Sequence, residues 1–225
     1  MDEMQIQDKT KRDVSLSWPL ERRWIFFLTP RLPRFLNGHN LTLLSLAWSA
    51  LALLAAYLAQ GARIWIWAAV AAILLQYFTD CLDGAVGRYR NSGLAKWGYV
   101  MDHFFDYIFI ASLFVGYAFL VSGSFQFVPF ALFIIVAGFM VYSCLMYGVS
   151  HEFQMSSFLF GPTEARVILI LLDIAFFFFG FAVLDWGLLG AAVFCFILLV
   201  SAVYTSERQL YKDRNSSPGP KNIQE

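Results

Sequence analysis

Four aspartates set in otherwise apolar stretches are the residues of this chain best equipped to do chemistry. Asp80 and Asp83 fall in the run Asp80-Cys81-Leu82-Asp83-Gly84-Ala85-Val86-Gly87-Arg88. Asp102 and Asp106 fall in Gly98-Tyr99-Val100-Met101-Asp102-His103-Phe104-Phe105-Asp106. A carboxylate placed toward the interior of a membrane costs about 2.5–3.5 kcal/mol on insertion scales. Four of them at helical spacing call for a compensating cation, and a divalent metal, Mg2+ or Mn2+, is the simplest one.

The spacing places these groups on helix faces. Asp80, Asp83, Gly84, Gly87 and Arg88 cover about 140° of one face at about 100° per residue. Gly98, Asp102 and Asp106 recur every four residues as a second stripe. The short link from Tyr89 to Trp97 makes the two helices an antiparallel pair, so both acidic faces can meet at one depth. Gly84, Gly87 and Gly98 lie on those faces. They leave room for a diphosphate or nucleotide to approach the backbone, or they serve ordinary small-residue packing between membrane helices. Arg88 is placed either to meet a phosphate or to snorkel to the interface.

The elements that must hold these groups read as membrane helices. Hydrophobic residues make up 59% of the 225-residue chain and charged residues only 14%, which excludes an ordinary soluble domain and a disordered one. Hydropathy predicts an all-α integral membrane protein with six transmembrane helices, at about 40–60, 64–88, 98–121, 126–148, 164–183 and 187–206. The breaks fall at Gly61 and Arg63, Asn91-Ser92-Gly93, Ser122-Gly123-Ser124, Gly161-Pro162 and Asp185-Trp186-Gly187. Residues 1–37 form an N-terminal segment in which Trp18 to Leu28 suits an amphipathic interfacial helix, ended by Pro30 and Pro33. Residues 38–206 form the membrane domain, and 207–225 a disordered tail. With both termini cytoplasmic, every one of the 16 basic residues except Arg63 lies inside. The acidic cluster then faces the cytoplasm. Cys81, Cys144 and Cys195 read as small buried hydrophobes, with neither disulfide nor zinc spacing. No cleavable signal peptide and no nucleic-acid partner are expected.

The acidic pattern resembles the signature of the CDP-alcohol phosphotransferase family, D-x2-D-G-x2-A-R-x8/9-G-x3-D-x3-D. Asp80, Asp83, Gly84, Arg88, Gly98, Asp102 and Asp106 match it, and Gly87 stands where the family usually has Ala. The six-helix layout, the N-terminal amphipathic segment and Asn40-Leu41-Thr42 at the first span are also similar to the family; His39 stands where a Pro often precedes that Asn. The resemblance implies a two-metal site. Asp80, Asp83 and Asp102 are ligands in it. Asp106 is the general base and touches a metal too. Gly84, Gly87 and Arg88, with Gly98, line the CDP site. It implies attack of an acceptor hydroxyl on the phosphorus distal to the cytidine, release of CMP, and a homodimer. Gly187, Gly190, Ala191 and Ala192 could allow close helix approach for that dimer.

Two donor classes stay open. In one, CDP-diacylglycerol reacts with a soluble alcohol or alcohol phosphate; the short chain and single six-span domain put it ahead. In the other, CDP-choline or CDP-ethanolamine reacts with diacylglycerol. His103 resembles the D-H-x-x-D variant of that second group, and the loop from His151 to Glu164 resembles it faintly. A neutral imidazole there could share the proton transfer with Asp106, or be a bland interface histidine. Glu164 and Arg166 could contact a polar acceptor, or serve only as a helix-end acid and a topology-setting base. Asp173 is expected to make a polar contact between helices. A UbiA-type prenyltransferase would place its two acidic motifs far apart, and a cation transporter would spread acids along a path. Neither pattern is present. A non-enzymatic scaffold that keeps the motif is the remaining rival.

Overall fold

A computed structural model describes residues 18–93, 95–121, 123–150 and 162–216. Within them the chain forms seven α-helices and three short 3-10 turns, with no strand. The helices are α1 (Trp18–Leu28), α2 (Gly38–Ala59), α3 (Ile66–Tyr89), α4 (Ala95–Leu120), α5 (Val128–Ser150), α6 (Pro162–Phe179) and α7 (Phe181–Ser216). Five helical segments are long and apolar enough to cross a membrane: Gly38–Ala59, Arg63–Tyr89, Lys96–Leu120, Gly123–Gly148 and Phe181–Arg208. They mark a multi-pass membrane protein. The span expected at 164–183, the fifth of the six, coincides with α6, which has 18 residues and carries Glu164, Arg166 and Asp173.

Helix α2 is the hub, because its buried stripe is made of small side chains. Thr42, Ser45, Ser49, Ala52, Ala56 and Ala59 recur at alternating steps of three and four, and all are buried. Such a stripe lets two other helices come close without a hydrophobic force to hold them. Both α3 and α4 pack along α2, while they touch each other little. The approach is tightest where Gly116 of α4 meets Ala56; a Cβ on Gly116 would lie 2.8 Å from the Ala56 methyl. The main apolar core sits at the end away from the aspartates, where Ala59, Ile66, Phe114, Tyr117, Phe176, Leu184 and Leu188 are buried together. Outward-facing Leu54, Ile134, Phe178 and Ile197 are more than half exposed, as lipid-facing residues are.

Local chemistry fixes the ends that matter for the site. Asn37 caps α2, its side chain accepting from the Asn40 N–H at 2.8 Å. The α3–α4 turn closes as expected at Asn91, Ser92 and Gly93. Asn91 and Gly93 take positive φ, and the Ser92 N–H donates to the Gly87 carbonyl at 3.1 Å. Arg90 then folds back and donates to the carbonyls of Leu32, Pro33, Arg34 and Leu36, which ties the entry to α2 onto the end of α3.

Two expectations need correction. The break between the last two helices lies at Gly180, not at Asp185-Trp186-Gly187, which is inside α7. Gly180 has φ 87°, a conformation only glycine adopts freely, and the Arg63 guanidinium reaches the Phe177 carbonyl at 3.4 Å across the end of α6. The last helix also continues to Ser216, ten residues beyond the end expected at 206. The His151–Gly161 part of the loop and the tail beyond 216 lie outside the described residues, as do residues 1–17.

Candidate active site

The two acidic stripes converge where α3 ends and α4 begins. Carboxylate oxygens of Asp80, Asp102 and Asp106 lie within 4.8 Å of one another. Asp80 comes from the end of α3, while Asp102 and Asp106 stand one turn apart on α4. The guanidinium of Arg166, in the first turns of α6, donates to Asp80 Oδ2 at 3.0 Å and stands 3.9 Å from Asp106 Oδ1. Its face lies 5.5 Å from the Tyr77 ring centroid. One guanidinium stands against three carboxyl groups, which leaves carboxylate oxygens for a further cation. That donor set, all hard oxygens at one depth, fits a divalent cation such as Mg2+ or Mn2+.

Asp83 takes a different position. Its Oδ2 accepts from Thr42 Oγ1 at 2.8 Å and its Oδ1 from the backbone N–H of Gly84. Three residues past Asp80 on the same helix, it turns toward α2 and lies outside the three-carboxylate group. Thr42 belongs to the buried stripe of α2, so the helix that spaces α3 and α4 also orients this carboxylate. Of the four aspartates expected to share one centre, the structure gathers three and anchors the fourth beside them.

The glycines differ in their surroundings. A Cβ on Gly84 would lie 3.3 Å from Arg88 Nη1, so the arginine folds back over that glycine, and both are exposed at the mouth. Gly98 faces open space. A Cβ on Gly38 would lie 3.4 Å from Gly87 Cα and 3.0 Å from the Asp83 carbonyl, so α2 and α3 pack closely there, while a Cβ on Gly87 itself would meet Ser92 Oγ at 3.5 Å. Gly187, expected at a dimer contact, packs within the chain against Leu172, whereas Gly190 meets nothing within 4 Å.

His103 Nδ1 bonds the Tyr99 carbonyl at 2.8 Å, one turn back, and lies 3.9 Å from Asp102 Oδ2. A carbonyl can only accept, so Nδ1 carries a proton. Glu164 is half-buried in the first turn of α6. Asp173 is fully buried further along the same helix, where the Tyr117 hydroxyl donates to its Oδ1 at 2.9 Å. That is the polar contact between helices expected of it.

Sequence reasoning missed three contributors. Gln76 is fully buried and donates from Nε2 to Asp106 Oδ1 at 2.6 Å. It stands four residues before Asp80, on the same stripe, and that offset was the available signal. Glu21 of α1 is buried, unlike most acids on a short surface helix, and accepts from Thr163 Oγ1 at 3.3 Å. Trp24 of the same helix stacks edge-on against Phe78 at 5.1 Å. Helix α1 therefore braces α3 and the start of α6 beside the carboxylates. The third contributor is Arg90, through its clamp on the chain entering α2.

Three carboxylates at one depth beside an exposed arginine and glycine are the kind of donor set that a metal-dependent phosphoryl transfer needs. The chain belongs to the CDP-alcohol phosphatidyltransferase family, whose model matches residues 35–203. No curated protein and no solved structure matches it. Membership makes the protein a transferase of phospholipid synthesis. It takes a phosphate-bearing group from a CDP-alcohol donor to an alcohol acceptor, in a family that is generally dependent on divalent metal.

Proposed function

We propose that the protein transfers a phosphatidyl group from CDP-diacylglycerol to the hydroxyl of a soluble acceptor, with release of CMP. The observation that carries this reading is the convergence of Asp80, Asp102 and Asp106 within 4.8 Å. Asp80, Asp102 and Asp106, with Asp83 beside them, would hold the divalent metal. When bound, that metal supplies charge neutralisation for the diphosphate and for the leaving phosphate. Gly84 and Gly98 leave space for the CDP moiety, and Arg88 meets its phosphates at the mouth. Asp106 accepts the proton of the acceptor hydroxyl. The hydroxyl oxygen forms its bond to the phosphorus distal to the cytidine, the phosphoanhydride bond breaks, and its electron pair leaves on CMP. Arg166 is the cation at the cluster that an anionic acceptor would meet, which favours a soluble alcohol phosphate over neutral diacylglycerol.

A second donor class has one observation in its favour. His103 lies 3.9 Å from Asp102, beside the carboxylate cluster, with Nδ1 against the Tyr99 carbonyl. It could take a proton from a lipid hydroxyl when CDP-choline or CDP-ethanolamine is the donor. Mass analysis of the lipids formed by purified protein from a panel of CDP donors and acceptors separates the two. A phosphatidyl product from CDP-diacylglycerol supports the first reading; product formed only from diacylglycerol with CDP-choline or CDP-ethanolamine overturns it.

The same reading places six spans in the bilayer, α6 being the fifth. Both termini and the carboxylates face the cytoplasm, and α1 lies in the interface with Phe26 and Phe27 outward. Support comes from the basic residues. Arg31, Arg34, Arg88, Arg90 and Lys96 lie at the carboxylate end of the bundle, and Arg63 at the other. Cysteine labelling at position 96 from the inside and at position 61 from the outside is expected. Labelling of position 96 from outside would reverse the orientation.

A further inference from the structure

Gln76 stands one helical turn deeper on α3 than Asp80, about 6 Å along the axis. Asp106 stands one turn deeper on α4 than Asp102. In an antiparallel pair these two residues face each other at the inner wall of the site, and the Gln76 amide donates to Asp106 Oδ1 at 2.6 Å. The nitrogen is the atom turned to the carboxylate, because against an ionised Asp106 the amide oxygen would set two acceptors against each other. Arg166 approaches the same oxygen, at 3.9 Å. Both contacts fall on Oδ1, so Oδ2 is the oxygen left to meet a metal or a proton.

Packing alone gives no reason for an amide here. Gln76 has no exposed surface, and its Oε1 is buried without a hydrogen-bond partner among the described residues. An unpartnered amide oxygen inside a membrane helix costs free energy that an apolar side chain of the same length avoids. The single bond to Asp106 is what the residue provides. We propose that Gln76 is a positioning residue for the transfer reaction: it holds Asp106 by one oxygen and so aims the other at the acceptor hydroxyl. The proposal rests on the reading of Asp106 as the proton acceptor.

The test compares Gln76→Met and Gln76→Leu, which keep an apolar side chain of similar bulk, with Asp106→Asn, all in lipid nanodiscs. Loss of the positioning bond is expected to lower kcat by about 10- to 100-fold, because small misplacements of a reacting group carry penalties of that order. The KM for the CDP donor and the thermal midpoint should stay close to the parent's, since neither donor binding nor packing needs the amide. Parental kcat in a folded Gln76→Met or Gln76→Leu protein overturns the proposal. So does a loss of donor affinity that accounts for the whole effect. Should neither apolar variant fold, Gln76→Asn draws the amide back by one methylene. A several-fold fall in kcat at unchanged KM then supports the proposal, and parental kcat overturns it. Asp106→Asn separates the two levels: turnover retained there removes the reading of Asp106 itself, whereas turnover lost there with Gln76→Met unimpaired removes only the positioning role.

Discussion

Arg166 is the cation of the carboxylate cluster, and replacing it gives a prediction with a definite sign. Its guanidinium stands 3.0 Å from Asp80 Oδ2, and the two side chains are only 17% and 19% exposed. At an effective dielectric constant of about 20, unit charges at that separation attract by about 5 kcal/mol before desolvation is counted. Removing one partner of a buried pair typically costs about 3–5 kcal/mol, and partial exposure puts this pair near the lower figure. For Arg166→Gln, about 3 kcal/mol corresponds to a fall of about 6–12 °C in the melting midpoint for a chain of this size. That fall is expected in chelator. A divalent cation should restore most of it, because Arg166 and the metal neutralise the same carboxylates. Losing the competing positive charge should also tighten metal binding, by about tenfold or more. The assay is thermal unfolding in detergent, with and without Mg2+, together with titration calorimetry of the metal. An Arg166→Gln protein that melts with the parent in chelator, or binds metal more weakly than the parent, would refute the argument.

Three further outcomes are expected. His103→Ala should leave turnover of CDP-diacylglycerol within about threefold of the parent, because Nδ1 is held by the Tyr99 carbonyl and Asp106 carries the proton; a large loss confined to CDP-choline or CDP-ethanolamine would favour the second donor class. Gly38→Ala should destabilise by about 1–3 kcal/mol in thermal unfolding, since its Cβ would lie 3.0 Å from the Asp83 backbone carbonyl, which cannot step aside as a side chain can; a parental midpoint would count against tight α2–α3 contact. Mass measurement in nanodiscs should return a homodimer, and an active monomer would reject that assembly.

The aspartates were legible because helical register is local. Three- and four-residue spacings place groups on one face whatever the rest of the fold does. The breaks at Asn91-Ser92-Gly93 and Gly123 were legible too, since glycine and turn residues mark positive φ. Hydropathy misplaced the final break because it weights charge. Asp185 fits inside a long helix, whereas Gly180, hidden between phenylalanines, supplies the backbone geometry that ends α6. The divergence of Asp83 from the other three carboxylates was not legible. It depends on Thr42, 41 residues away, reaching across from α2. The offset of Gln76 from Asp80 and the place of Thr42 in Asn40-Leu41-Thr42 marked both residues without naming their partners, so the supports of Asp106 and Asp83 appear only once the helices are packed. The buried side of α1 was hidden for a similar reason: a glutamate among tryptophans reads as a polar face, yet Glu21 points inward to Thr163.

The central claim is that the carboxylate cluster carries a metal-dependent transfer from a CDP-alcohol. CMP release by the purified protein in nanodiscs, with CDP-diacylglycerol and acceptor, before and after exhaustive chelation, tests it most directly. Turnover should vanish on chelation, return with Mg2+ or Mn2+, and stay absent in Asp102→Asn at any metal concentration. Undiminished CMP release after chelation, or parental turnover in Asp102→Asn, would contradict the account.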